Sequence, residues 1–179
     1  MKQILKVKIS NRIITYFIYF LLLILVLGIW IAETRQFDEV LAYSMPYENR
    51  WDLENVIFTL KLSNLYTASL LSIVLGIGIF LRNKVGWVLV TSWFYFVFSN
   101  FVKSIIEDKM DGIMDILLLL FLLAIPSAFI YLMNKFKGIE DYHRIKGKSK
   151  LNLNLWAIGI GILLAVLRIY KRNLLQHWL

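Results

Sequence analysis

The chain has 179 residues, 59% of them apolar and 18% charged, with a mean hydropathy of +0.67 and a net charge of +8. A soluble domain carries about a quarter charged residues, so this balance excludes a water-soluble globule and makes lipid the solvent. The lack of cysteine excludes disulfides, thiol nucleophiles, thiol-dependent quinone reduction, lipoprotein acylation and thiolate metal sites.

The first element is the plainest. Residues 13–32 read IITYFIYFLLLILVLGIWIA without a charge, and twenty residues of helix rise about 30 Å, the thickness of a bilayer's hydrocarbon core. Tyr16, Tyr19 and Trp30 are placed as interface aromatics on a lipid-facing anchor. No small-residue cleavage site follows, so the segment reads as retained. In the connection that comes next, Phe37, Val40, Leu41 and Tyr43 recur at helical spacing. They predict an amphipathic segment over 36–51 that lies on the outer surface and is stopped by Pro46. Its aromatics Tyr43, Tyr47 and Trp51 form an expected partner-binding face. Asp52 is placed to cap a second spanning helix over 56–81, with Glu54 in its first turn. Ala68, Ser72 and Gly76 on that helix stand four residues apart and make a smooth packing ridge.

The third span, 87–106, carries Thr91, Tyr95, Ser99 and Lys103 at helical spacing. Polar atoms at that depth face protein or water, so the stripe is either an interhelical contact or the wall of a pore. The fourth, 113–133, is nearly all Leu, Ile and Phe, with Pro126 expected to kink it. Residues 134–150 are a basic loop suited to anionic headgroups. Residues 151–167 form an uncharged stretch just long enough to span, with a second ridge at Ala157, Gly161 and Ala165.

Charge orients these spans. Lys2, Lys6, Lys8 and Arg12 precede the first, Arg82 and Lys84 separate the second from the third, and six bases against two acids fill 135–150. Six acids against three bases lie in 33–63, and four against two in 103–115. Loops rich in Lys and Arg stay in the cytoplasm, so the N-terminus is expected inside and the 33–63 connection outside. Crossing by 151–167 puts Arg168, Lys171 and Arg172 outside, against the charge rule; hydropathy favours crossing, and a re-entrant segment is the alternative. The expected fold is an all-α polytopic bundle of four to five transmembrane helices. The excess of Lys over Arg, with abundant Ile and Asn, suggests an AT-rich bacterial genome and the inner membrane.

No motif assigns an activity. His143 and His177 are far apart and flanked by cations, so no metal is expected, and no cofactor. The deep spans carry no charged side chain of the kind that coupled transport needs. Nucleic-acid binding is disfavoured, because two aromatics in a basic loop make no recognition module. Three classes follow: a non-enzymatic protein acting by assembly, as an oligomeric pore, effector or regulatory subunit; a partner-binding or toxin-immunity protein; or an interfacial lipid enzyme. The last would draw on Glu107, Asp108, Asp111 and Asp115, which outward topology explains more simply.

Near the C-terminus, RNLLQH (Arg172–His177) has the form R-N-x-x-x-H and resembles the signature of HEPN-type ribonucleases. That resemblance implies that Arg172 and His177 act on an RNA phosphodiester. On the reading of the residues themselves, the bases are an interface anchor beside Trp178 and not catalytic. A small multi-spanning chain with such a tail is similar to the accessory membrane proteins of type VI-B CRISPR loci. This likeness implies an effector or modulator of antiviral defence.

Overall fold

A computed structural model describes residues 2–44, 51–62, 67–107, 113–145 and 150–177, and every regular element among them is an α-helix. In chain order these are α1 (Lys2–Ser44), α2 (Leu53–Leu62), α3 (Thr67–Phe80), α4 (Lys84–Glu107), α5 (Ile113–Lys135), α6 (Lys137–Tyr142) and α7 (Lys150–His177). Among the described residues four stretches are long and apolar enough to cross a membrane: Ile9–Ala42 in α1, Lys84–Lys103 in α4, Leu117–Lys135 in α5 and Lys150–Arg168 in α7. The chain is an all-α, membrane-integral helix bundle.

One expectation about the first half is corrected. The segment from residue 36 to Ser44 is not a separate surface helix; it continues α1, because Phe37 and Leu41, one turn apart, are both buried. The ring of Trp51 lies 6.4 Å from that of Phe37, with α2 against α1. Of the second span, expected as one helix over 56–81, the structure describes α2 and α3, and residues 63–66 lie outside the described residues. With 14 residues, α3 rises only about 21 Å, less than the hydrocarbon thickness. A new helix start exposes amide donors that a continuous helix would bond internally. Here Glu33 of α1 accepts two of them, from Ala68 (3.1 Å) and Ser69 (2.9 Å). A carboxylate at a helix N-terminus is also favoured by the dipole.

Helix α4 is the hub. Half of its span is buried, against 17% for α1, 11% for α5 and 17% for α7, and it packs on α3, α5 and α7. Glycines set the approach. A Cβ on Gly78 of α3 would lie 2.8 Å from the Val90 side chain, and one on Gly161 of α7 would lie 2.7 Å from Tyr95 Cβ and 2.8 Å from the Ser92 carbonyl. Residues 81–83 turn α3 back into α4, with Asn83 Oδ1 accepting from the Gly86 amide at 3.0 Å. Trp87 is fully buried and donates through Nε1 to the Met133 carbonyl at 2.9 Å, tying α4 to α5. The Phe94 and Phe129 rings stack at 4.6 Å between the same two helices. Pro126 lies inside α5 without ending it, and the Ser127 hydroxyl donates to the Leu123 carbonyl.

Helix α7 runs parallel to α4 through the same depth. It starts where Lys150 meets Glu140 and the Asn134 carbonyl, passes Tyr95 at Gly161, and reaches Asn100 through Arg168 at 3.2 Å. By length and composition α7 is one of the four candidate spans.

Candidate functional site

The most constructed part of the molecule lies at one end of the bundle, where the basic segments meet. Helix α6 docks on α1 through Gly138, where a Cβ would fall 2.4 Å from Thr15 Oγ1 and 2.6 Å from the Asn11 carbonyl. Only a residue without a side chain allows that approach. The docking buries His143 completely. Its Nδ1 lies 2.9 Å from the Leu81 carbonyl and 3.1 Å from that of Asn83, and its Nε2 lies 2.6 Å from the Tyr19 hydroxyl. Carbonyls only accept, so the proton sits on Nδ1, and the Tyr19 hydroxyl donates to the bare Nε2. Burial, opposed by the two backbone bonds, pushes the ring's pKa down to about 4. The imidazole is therefore neutral and structural at physiological pH. Tyr142 donates to the Ile79 carbonyl at 2.9 Å, and its ring packs edge-on against Tyr16, Tyr19 and His143.

This network corrects two readings. Tyr19 is a buried anchor rather than an interface aromatic, and 134–150 is not merely a solvated loop. It also fixes a relationship: the start of the first apolar run, the α3–α4 turn and the α5–α7 connection share one face of the bundle.

The end of α6 breaks a local rule. The Ile145 amide donates to the Glu140 carbonyl at 2.9 Å and the Arg144 amide to that of Asp141 at 3.4 Å, the paired bonds of a Schellman cap. The residue that turns the chain is usually glycine; here it is Arg144, at φ 56°. An L-residue in that region costs roughly 1–2 kcal/mol. His143 and Ile145 point inward and are buried, so Arg144 is turned outward. It lines a cavity of about 270 Å³ together with Arg12, Arg82, Asp141, Asn11 and Thr15. The Arg12 guanidinium lies 5.6 Å from the Tyr16 ring centroid, and that of Arg82 lies 5.4 Å from the Tyr142 ring centroid.

The residues singled out from sequence are placed as follows. Thr91 is fully buried, and Tyr95, Ser99 and Lys103 are half-buried along α4. Tyr95 abuts Gly161, and the Ser99 hydroxyl donates to the Tyr95 carbonyl, so the stripe lies at the contact with α7. Ala157, Gly161 and Ala165 are all buried. On α3 the ridge is divided: Ser72 is buried, Ala68 and Gly76 are half-buried, and no atom lies within 4 Å of where a Gly76 Cβ would stand. Trp51 is exposed. Tyr47, Asp108 and Asp111 lie outside the described residues, as do the side chains of Tyr43, Glu107, Asp115 and the RNLLQH segment. Among the described residues no three His, Cys, Asp or Glu side chains converge.

The fold and these contacts define the class: a polytopic α-helical membrane protein with a polar cap built from its basic segments. No protein-family model matches the chain, and comparison with curated proteins and with solved structures gave no significant match.

Proposed function

We propose that this chain is a non-enzymatic integral protein of the bacterial inner membrane, with its basic face in the cytoplasm, that acts by assembly as a regulatory or effector subunit. The observation that carries this reading is uneven burial. Helix α4 is enclosed by its own chain, whereas α1, α5 and α7 leave most of their apolar faces uncovered. Gly76 and Gly159 also leave open positions where the backbone of another helix fits closely. Second copies or another membrane subunit are the partners, alongside anionic lipid. The accessory-protein resemblance would make such a subunit a modulator of antiviral defence.

The pore form of this reading requires a path along Thr91, Tyr95 and Ser99. Within one chain that stripe is occupied by α7, so conduction needs a lumen formed between copies. The solution mass in detergent tests assembly, and ion leak from liposomes tests the pore. A parent that is monomeric in detergent would reject assembly, and an oligomer whose size is unchanged by both Gly76→Leu and Gly159→Leu would reject these positions as its contact. The exposed Trp51 beside Phe37 favours the partner-binding reading as the second choice.

A further inference from the structure

We propose that the cavity between α1, the α3–α4 turn and α6 is a binding site for a phosphate group, supplied by the headgroup of an anionic lipid or by a soluble phosphate. Three guanidinium groups, Arg12, Arg82 and Arg144, line it against one carboxylate, Asp141. The cavity therefore carries a net positive charge, and none of the three arginines forms an ion pair among the described residues. Guanidinium is the side chain whose planar fork matches phosphate oxygens. Arg12 and Arg82 lie near the Tyr16 and Tyr142 rings, and Arg12 donates through Nε to the Tyr16 hydroxyl at 3.2 Å, contacts that orient each guanidinium and leave its terminal nitrogens for a ligand. Asn11 and Thr15 add short polar groups to the wall.

Two independent features set this cavity apart from a solvated basic surface. Among the described residues the chain keeps an arginine at the position with left-handed backbone, φ 56°, where glycine is favoured, and the buried residues on either side turn that arginine toward the cavity. Strain retained at such a position marks a side chain held for what it does. The depth is also suited to phosphate. Arg12 immediately precedes the first apolar run, Arg82 sits between the apolar α3 and α4, and Arg144 lies in the α5–α7 connection. All three stand at the level where apolar helix gives way to polar chain, which is where lipid phosphates lie. The site does not depend on how the spans assemble.

The backbone at Arg144 supplies an unusually clean test. Arg144→Gly removes the charge and also relieves the strained turn, so the variant should fold at least as stably as the parent. Full-length protein in phosphatidylcholine nanodiscs would be titrated with inorganic phosphate and, in a separate arm, with short-chain phosphatidylglycerol, following thermal stability. Stabilisation by inorganic phosphate identifies a soluble ligand, stabilisation by phosphatidylglycerol alone identifies a lipid headgroup, and stabilisation by both identifies a shared phosphate site. In each case Arg144→Gly should raise the apparent Kd about tenfold, the loss of one charge-assisted contact, and Arg82→Gln should act in the same direction. If neither ligand stabilises the protein, or if Arg144→Gly binds as tightly as the parent, the proposal fails.

Discussion

The hydroxyl of Tyr19 lies 2.6 Å from Nε2 of His143, across 124 residues of chain. This bond joins the first spanning helix to a short helix in the most basic connection, and the opposite ring nitrogen carries the contact on to the α3–α4 turn. Removing one partner leaves a buried polar group unsatisfied, at a cost of about 1–3 kcal/mol. Tyr19→Phe is expected to lower thermal stability in detergent by that order, and His143→Ala by more, since it also empties space beside Tyr142. The double variant should cost less than the sum of the two, because the residues share one interaction. Strict additivity would show that they are not coupled.

The same histidine predicts a pH dependence. Its folded pKa is depressed to about 4 from the ordinary 6.5, so between those values the unfolded chain binds a proton that the folded chain does not. Stability contributed by the neutral ring is complete above about pH 6.5 and falls as the pH drops toward 4, by about 3 kcal/mol in all. Chemical unfolding at pH 7.5 and pH 4.5 measures the loss. His143→Gln, whose amide can still donate to the two carbonyls, should flatten that dependence.

The two glycine ridges should respond differently to enlargement. Gly161→Leu forces a side chain into Tyr95, Ser92 and Phe96, and overpacking of this kind typically costs 1–3 kcal/mol or more. Gly76→Leu enters open space and should leave the melting temperature of the single chain unchanged, while disturbing contacts between chains. Equal destabilisation by both variants would place Gly76 in an intramolecular contact instead.

Glu33 is expected to govern the start of α3. Glu33→Ala leaves the Ala68 and Ser69 amides without their acceptor and should cost about 1–2 kcal/mol. Glu33→Gln, which keeps an acceptor oxygen, should recover part of it. Amide exchange in the first turn of α3 would report the effect directly, with faster exchange confined to that turn.

Topology can be tested on single introduced cysteines, since the chain has none. Cysteines at Lys84 and Lys137 should label from the same side as one at Gln3, and a cysteine at Gln36 from the opposite side. The shared side follows from the His143 network. The positive-inside rule adds that it is cytoplasmic, so label applied from outside should reach Gln36 and not Gln3.

The sequence by itself determined that this is a helical membrane bundle, where most of the apolar runs lie, and which basic segments belong together. Hydropathy and charge are read along the chain, against a bilayer of known thickness, and need no knowledge of neighbours. The acceptor for the first amides of α3 was hidden, because Glu33 lies in another helix more than thirty residues away. His143 was hidden for the same reason: in a run of lysines and arginines a histidine looks solvated, and only the docking of α6 through Gly138 puts it in the core. Among the neutral residues of that loop, Tyr142 beside it and Gly138 before it carry the packing. Arg12, Arg82 and Arg144 were legible only as topology charges. Their convergence on one cavity is a property of the tertiary structure, because a shared site depends on which helix ends meet, and that is decided by close packing between distant residues rather than by any local pattern.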